Sequence, residues 1–302
     1  MNAYDLPASS PTVGVIVGTY RRPVPLAAAL DSLAAQTHPV QRIIVCDDAS
    51  GDTTQAVVED FAGRTGIPTV WTSHPHTGHP GRTRNLALPH LDGLDWVAFL
   101  DDDDTWRPDK LRRQMERIRA GGVDVLGCGV TTLDRRGCAI RAYCPPPGPY
   151  RLRRLAMQNP LATSAVIMRR SLLMDLGGFN EHPHLLGWGN DYDLWLRAAA
   201  VGARVDNLPD PLVLYRQGQG IGAAWGSDPA WRAENLQLIA GGLRHPTHVV
   251  ARRILWGRHH GEAAEAELAA GRRFQAARHA VRAIWCFPAK SSLATLMHVV
   301  RR

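Results

Sequence analysis

Apolar runs alternate with helix-like segments over the first 120 residues of the chain, and several of these runs end in polar residues. The first run, residues 13–17, is followed by a loop and by Leu26, Leu30 and Leu33, which recur at helical spacing. Three more runs lie at residues 43–46, 69–72 and 96–100. Strands that alternate with helices predict a mostly parallel sheet that is covered by helices on both faces.

Local signals mark where the intervening helices begin. Asp52 is expected to cap the helix after the second run, a short helix is expected from about Thr83, and Pro108 is expected to open the helix after the fourth run. Beyond residue 120 the alternation loosens, with strands predicted at residues 123–130, 163–168 and 212–215. From about Pro229 onward the pattern is helical. We therefore predict an α/β domain over residues 1–228 and a C-terminal helical extension over residues 229–302.

Composition restricts the class of protein. The chain has 302 residues, 45% of them hydrophobic, so it can bury a full core, and no run approaches the roughly 20 apolar residues that span a bilayer. The N-terminus has neither a basic start nor an apolar core, and the five cysteines lack disulfide or metal-ligand spacing. The net charge is +7, but the arginines are scattered along the chain. We expect a cytoplasmic protein that has no transmembrane segment and binds no nucleic acid.

Polar residues gather where three of the predicted strands end. Tyr20 follows the first strand, Asp47 and Asp48 follow the second, and residues 101–104 are four consecutive aspartates after the fourth. In open α/β sheets, ligands bind beyond the carboxyl ends of the strands. The sequence therefore predicts a ligand site at this edge of the sheet.

The four consecutive aspartates require positive charge nearby, because two unit charges 4 Å apart repel by about 1 kcal/mol even in water. A divalent cation such as Mn²⁺ or Mg²⁺ would supply that charge and bridge two phosphates of a ligand. The alternative is a solvated acidic loop that caps the next helix. The apolar strand directly before the aspartates favours the metal site.

Two further segments allow both a functional and a structural interpretation. Asn190 and Asp191 either cap a helix or present a carboxylate that accepts the proton of an attacking hydroxyl. Gly78, Gly81 and Arg84 belong to a Gly-rich turn that enters a helix, which is typical of a phosphate contact and of an ordinary turn alike.

At these positions the sequence resembles the family-2 inverting glycosyltransferases of the GT-A fold. The matching segments lie, in chain order, at residues 15–22, 32–37, 44–54, 84–85, 99–111, 177–179 and 191–197. The resemblance implies a Rossmann-like nucleotide-diphospho-sugar transferase fold for residues 1–228, which would form the catalytic domain. It also implies a single displacement that moves a sugar from a nucleotide diphosphate donor, of the UDP or dTDP type, to an acceptor hydroxyl. That acceptor would be a glycan, a lipid-linked glycan or a natural product.

The resemblance also implies roles for single residues. Tyr20 and Asp48 would hold the nucleobase, Asp103 the metal ion, Mn²⁺ or Mg²⁺, and Asp191 would be the catalytic base. The expected donor-binding set is Thr19, Tyr20, Arg22, Asp48, Arg84, Asp101 and Asp102, where Asp101 or Asp102 would bind the ribose, and Trp188 and Asn190 are expected on the acceptor side.

Two positions depart from the family pattern. Asn190 stands where relatives usually have Glu before the catalytic Asp, which puts an acceptor contact in question. Gly218 stands where many relatives have His, which implies weaker metal binding. The Gly-rich stretch around Gly218 predicts a flexible lid.

The C-terminal extension resembles a single helical hairpin of the tetratricopeptide type, within residues 263–285. One such repeat cannot bury its own face, so it is expected to pack on the catalytic domain or on a partner. The arginines of the C-terminal extension are also compatible with a weak peripheral contact with an anionic membrane surface. They are Arg272, Arg273, Arg278, Arg282, Arg301 and Arg302.

Two other functions stay open. A sugar nucleotidyltransferase would carry a Gly-rich Arg/Lys loop after the first strand, where this chain has Gly18 to Pro23. A non-catalytic nucleotide-sugar or partner-binding protein of the same fold would have no need to keep both Asp103 and Asp191.

Overall fold

Residues 13–101 form four parallel strands with helices between them. The computed structural model describes residues 11–185, 188–216 and 228–301. The elements are β1 (Val13–Thr19), α1 (Pro23–Ala34), β2 (Arg42–Asp47), α2 (Thr54–Thr65), β3 (Thr69–Ser73), α3 (Pro80–Asn85) and β4 (Trp96–Asp101). The strands lie in the order β3-β2-β1-β4, and each neighbouring pair is parallel. The predicted α/β fold with a largely parallel sheet is confirmed.

The rest of the sheet mixes parallel and antiparallel neighbours. Its elements are β5 (Thr105–Trp106), α4 (Lys110–Arg119), β6 (Val125–Leu133), β7 (Ala139–Tyr143), α5 (Leu152–Met157), β8 (Ile167–Arg169), α6 (Arg170–Asp175), α7 (Trp188–Ala200) and β9 (Val205–Arg216). From β4 the order continues β8-β6-β9-β5, with β7 beside β6. Strand β8 is antiparallel to both β4 and β6, and β9 is parallel to β6. Because two antiparallel steps restore the direction, β6 and β9 end at the same edge of the sheet as β1 to β4.

The structure differs from the sequence-based prediction at several strands. Strand β5 was not predicted, and β9 begins at Val205 rather than at residue 212. The strand predicted at 163–168 begins only at Ile167, because residues 163–165 form a 3-10 turn. In that turn the Ser164 hydroxyl accepts a hydrogen bond from the backbone N–H of Asp101 and donates one to Asp104. Strand β7 was not predicted, because all five of its residues are exposed and show no apolar alternation.

Each face of the sheet buries its own hydrophobic cluster. Val13, Val15 and Val17 of β1 pack on one face with helix α1, whereas Ile16 faces the other side and belongs to the cluster of Phe99. This period of two places strand residues alternately on the two faces. The polar residues that follow each strand are thereby left at the edge, outside both clusters.

The predicted C-terminal helices are present in the described part of the chain. They are α8 (Pro229–Gly242), α9 (Val249–Ala269), α10 (Arg273–Cys286) and α11 (Lys290–Arg301). Leu236 of α8 and Ile254 of α9 share the core cluster with Tyr192 and Trp195 of α7, so the first two helices pack on the α/β region. The domain boundary at residue 228 remains a prediction. No helix in the described ranges is long and apolar enough to cross a membrane.

Candidate active site

A cleft of about 700 Å³ opens at the edge where the parallel strands end. Ten residues that the sequence analysis singled out for donor, metal or base roles, or for the turn before α3, line this one cleft. They are Thr19, Tyr20, Arg22, Asp48, Gly78, Arg84, Asp101, Asp102, Asp103 and Asp191. Their roles remain predictions, but the fold brings together side chains that lie up to 172 positions apart in the sequence.

The loops after β1 and β2 are held together by polar contacts. Arg21 and Ala49 both adopt left-handed backbone conformations, with φ of 51° and 61°, which is uncommon for residues other than glycine. The Arg21 N–H donates to the Ser50 hydroxyl oxygen over 2.7 Å, and the Ser50 N–H donates to Asp47 over 2.9 Å. Backbone strain of this kind concentrates at functional sites. The hydrogen bonds between these loops hold Tyr20 and Asp48 in position.

Tyr20 and Asp48 form a flat, polar pocket at one end of the cleft. The Tyr20 ring stacks on the His76 ring with 4.2 Å between their centroids. The Asp48 carboxylate accepts the N–H of Gly78 over 2.8 Å and lies 3.0 Å from His74 Nε2 and 2.9 Å from His76 Nδ1. An aromatic face beside fixed hydrogen-bonding groups suits a planar heterocycle.

Asp102 and Asp103 share one arginine. Arg22 Nη1 lies 3.0 Å from Asp102 Oδ1 and 2.9 Å from Asp103 Oδ2, and the Thr19 hydroxyl donates to Asp102 Oδ2 over 2.8 Å. Burial raises the pKa of Asp102, while the Arg22 charge opposes that shift. Burial and the charges of Asp101 and Asp102 raise the pKa of Asp103 to about 6. The single positive charge of Arg22 therefore neutralises only part of the negative charge of Asp102 and Asp103.

Asp104 is separated from the other three aspartates. It is fully buried, and its carboxylate accepts the Ser164 hydroxyl over 2.6 Å and the backbone N–H of Arg216 over 3.0 Å. Burial, together with the charges of Asp101 and Asp103, raises its pKa well above the ordinary value. Asp104 thus joins the 3-10 turn to the end of β9, whereas Asp101, Asp102 and Asp103 face the cleft.

Arg84 connects Asp101, at the end of β4, to Asn190 in the first turn of α7. Its Nη2 lies 2.5 Å from Asp101 Oδ1, and its Nη1 donates to Asn190 Oδ1 over 3.3 Å. The buried Nε–H has no hydrogen-bond partner among the described residues. A buried donor without a partner costs about 1–3 kcal/mol, so this atom is a ready contact for an anionic ligand.

Asp191 lies on the first turn of α7 and faces the cleft. Its Oδ2 accepts the hydroxyl of Thr163 over 2.8 Å, whereas its buried Oδ1 has no partner in the described part of the chain. Burial raises the pKa of Asp191 to about 7, against the opposing effects of Thr163 and Arg84. A carboxylate with one oxygen anchored, the other unpartnered and a pKa near neutrality is suited to accept a proton.

The carboxylates in the cleft fit a metal ion that is held jointly with a ligand. Within the described ranges, no group of three His, Cys, Asp or Glu side chains is arranged to hold a metal ion alone. Mg²⁺ at nucleotide sites is commonly bound by one or two carboxylates, with phosphate and water oxygens completing the shell. Asp103 and the neighbouring Asp101 fit that arrangement, in which a diphosphate would supply further ligands.

Some of the lining residues have no recognisable signal in the sequence. Asn159, Arg141 and Tyr143 line the cleft, on a loop and on an exposed strand without a recognisable pattern, and Thr163 was treated only as part of a strand. The Trp188 side chain, the residue expected on the acceptor side beside Asn190, lies outside the described side chains, and so does the predicted lid around Gly218.

Two solved structures share this fold. The chain is similar to residues 1–349 of S. aureus TarS in complex with UDP-GlcNAc, with a TM-score of 0.70 and 22% identity, covering 96% of this chain and 89% of that one. It is also similar to the mannosyltransferase PcManGT from Pyrobaculum calidifontis in complex with GDP-Man and Mn²⁺, with a TM-score of 0.61 and 21% identity, covering 98% and 81%. These likenesses show the fold, which is the GT-A fold.

Sequence comparisons identify the family. The model of glycosyl transferase family 2 matches residues 14–176. The putative glycosyltransferase EpsE of Bacillus subtilis (strain 168) is 29% identical over 213 residues, which cover 69% of this chain and 74% of that protein. The UDP-Glc:alpha-D-GlcNAc-diphosphoundecaprenol beta-1,3-glucosyltransferase WfgD of Escherichia coli is 26% identical, covering 61% and 68%. The chain belongs to glycosyl transferase family 2.

Proposed function

We propose that this glycosyltransferase is metal-dependent and inverting, and that Asp191 is the base that deprotonates the acceptor hydroxyl. The observation that carries the proposal is the Asp191 carboxylate, which faces the cleft with Oδ2 held by Thr163 and Oδ1 without a partner among the described residues. The other features of the cleft support a donor site beside it.

The donor nucleotide is assigned to the strand ends. The nucleobase stacks against the Tyr20–His76 pair and forms hydrogen bonds near Asp48. Asp101 or Asp102 accepts a ribose hydroxyl, and the Arg84 Nε–H, which has no partner in the described part of the chain, contacts the diphosphate. This order places the sugar end of the donor toward Asp191.

Asp103 would hold the divalent cation, Mn²⁺ or Mg²⁺, together with the donor diphosphate. The raised pKa values of Asp102 and Asp103 support this assignment, because a cation relieves the repulsion that disfavours their charged forms. When bound, the cation stabilises the negative charge that develops on the leaving diphosphate.

The transfer is a single displacement. The acceptor hydroxyl proton passes to Asp191 Oδ1 as the hydroxyl oxygen bonds to the anomeric carbon. The bond between that carbon and the diphosphate oxygen breaks, and its electron pair leaves with the nucleoside diphosphate. The Thr163 hydroxyl keeps Asp191 oriented throughout. No covalent enzyme intermediate forms, so the anomeric configuration inverts.

The donor is of the UDP or dTDP type in this proposal, and the acceptor is a glycan, a lipid-linked glycan or a natural product. UDP-GlcNAc bound to TarS and the diphosphoundecaprenol acceptor named for WfgD are consistent with these classes. We assign Asn159, Arg141 and Tyr143, which line the same cleft and have no donor role in this proposal, to the acceptor.

The test is calorimetric titration with UDP, dTDP and GDP, each with and without Mn²⁺, on the unchanged protein and on Asp191→Asn. We expect one nucleotide to bind in a Mn²⁺-dependent manner to both proteins, and transfer in Asp191→Asn to fall by about 10³-fold. Asp175→Asn, an exposed carboxylate outside the cleft, is the matched control.

Unchanged turnover in Asp191→Asn would remove the base assignment. Metal-independent binding would remove the assignment of Asp103. Nucleotide-sugar binding without transfer or donor hydrolysis in the unchanged protein would favour the non-catalytic binding protein instead.

A further inference from the structure

The C-terminal end of the chain carries most of its net charge. Residues 273–302 contain six Lys and Arg residues and no Asp or Glu, a formal charge of +6 out of the +7 of the whole chain. Helices α10 and α11 lie within this segment, and none of their residues is among those that line the cleft. The charge excess therefore belongs to a separate surface.

Helix α10 presents large apolar side chains to solvent. Phe274 is 74% exposed, Val281 56% and Trp285 78%. They stand at positions i, i+7 and i+11, which fall on one side of a helix. Arg278 and Arg282, at i+4 and i+8, are exposed on the same side. The outer face of α10 is thus an apolar stripe flanked by arginines.

The buried side of α10 is built from small residues instead. Ala276, Ala280 and Ala283 are fully buried there. Helix α11, the next element, also exposes apolar side chains, Leu293 and Met297, which are four positions apart and both 51% exposed. A helix that packs on a soluble core normally has the reverse arrangement, with its largest apolar side chains inside. The outward apolar side chains therefore require a partner.

We propose that this surface docks on an anionic lipid bilayer. We call it the α10–α11 surface, and it comprises Phe274, Arg278, Val281, Arg282, Trp285, Leu293 and Met297. Aromatic and aliphatic side chains enter the boundary between headgroups and acyl chains, while arginines pair with anionic headgroups. This inference is independent of the proposed catalytic mechanism.

A second copy of the chain fits this surface less well. A two-fold contact places the same patch of both copies face to face, so Arg278 and Arg282 of one copy would meet the same residues of the other. In the described part of α10 and α11 no acidic residue offsets that repulsion. An anionic bilayer complements both the apolar stripe and its charge.

The test is flotation of the full-length protein with vesicles of phosphatidylcholine alone or of phosphatidylcholine mixed with phosphatidylglycerol. We expect binding to the anionic vesicles, little binding to the neutral ones, and release at high salt, because salt screens the arginine–headgroup attraction. No binding to either, or equal binding to both, would overturn the proposal.

Two double variants separate the apolar and the charged contributions. Phe274→Ser with Trp285→Ser, and Arg278→Glu with Arg282→Glu, should each lower the vesicle partition coefficient by at least about tenfold. Thermal unfolding checks that both variants fold. The matched control is Arg135→Glu with Arg136→Glu, which makes the same charge change in the exposed turn between β6 and β7.

The control should bind vesicles as the unchanged protein does. If the control loses as much vesicle binding, the loss reflects net charge alone, and the proposed docking surface is wrong. Concentration-dependent dimerisation that disappears in the Phe274 and Trp285 variant, without vesicle binding, would assign the surface to a second copy.

Discussion

At the scale of single residues, Asp191 combines burial with a hydrogen bond from the Thr163 hydroxyl, and these act on its pKa in opposite directions. A base must be ionised to accept a proton, so kcat/KM should rise as the pH increases through about 7 and level off above it. Thr163 favours the charged form by donating to it. The position of this pH limb therefore depends on one neighbouring hydroxyl.

We predict that Thr163→Val moves the acid limb of the kcat/KM profile upward by about one pH unit, because the charged form loses a hydrogen bond. At alkaline pH the variant should keep most of its turnover. Thr163→Ser, which keeps the hydroxyl, should leave the limb in place. If the limb does not move in the valine variant, or moves to lower pH, Thr163 does not control the pKa of the group that accepts the proton.

At the scale of elements, the start of α7 is fitted closely against α8. A Cβ added at Gly189 would lie 1.8 Å from Asn235 Oδ1. Asn235 cannot easily move aside, because it is buried and its Nδ2 donates to the carbonyl oxygens of His184 and Trp231. The absence of a side chain at Gly189 therefore sets how closely α8 approaches the turn that carries Asp191.

We predict that Gly189→Ala lowers the free energy of unfolding by about 1–3 kcal/mol through overpacking, and that transfer activity falls with it as α7 shifts. Gly241→Ala is the control, since nothing lies within 4 Å of an added Cβ there and alanine favours a helix. Chemical denaturation of both variants measures the difference. An equal free energy of unfolding in the two variants would show that α8 can shift to accommodate the added methyl group without loss of stability.

The sequence predicted the elements that have apolar periodicity and missed those that lack it. Strands β1 to β4 and the edge where Tyr20 and Asp48 lie followed from alternation and strand-end chemistry. Strand β7 is exposed along its whole length, so Arg141 and Tyr143 carried no signal. The Thr163 contact with Asp191 joins residues 28 positions apart through a 3-10 turn, a tertiary relation that no local pattern encodes.

At the scale of the whole molecule, the catalytic region and the first two C-terminal helices share one core. Arg258 of α9 donates to the Tyr192 hydroxyl over 2.7 Å and to the Ala156 carbonyl over 2.9 Å. Leu236 and Ile254 pack in the cluster that contains Tyr192. The face of α7 opposite the cleft is therefore buried by residues that follow the predicted boundary at 228.

We predict that a fragment ending at residue 228 fails to unfold cooperatively, because α7 loses these partners and exposes apolar surface. A fragment ending at Gly271 keeps α8 and α9 and should retain cooperative thermal unfolding and nucleotide binding. Near-ultraviolet circular dichroism during heating compares the two. A cooperative transition in the shorter fragment would make residues 1–228 an independent domain.

Asp103 and Asp191, which the proposed mechanism requires, lower the stability of the folded protein at neutral and alkaline pH. Burial raises the folded-state pKa values of Asp103 and Asp191 to about 6 and about 7, so their contribution to stability is present at acidic pH and is lost as the pH rises through those values. Neutral replacements avoid that loss. A laboratory selection for thermal tolerance alone, at mildly alkaline pH, would therefore favour sequences without these carboxylates. A selection for a more thermostable enzyme must therefore also require turnover, so that the two carboxylates are retained.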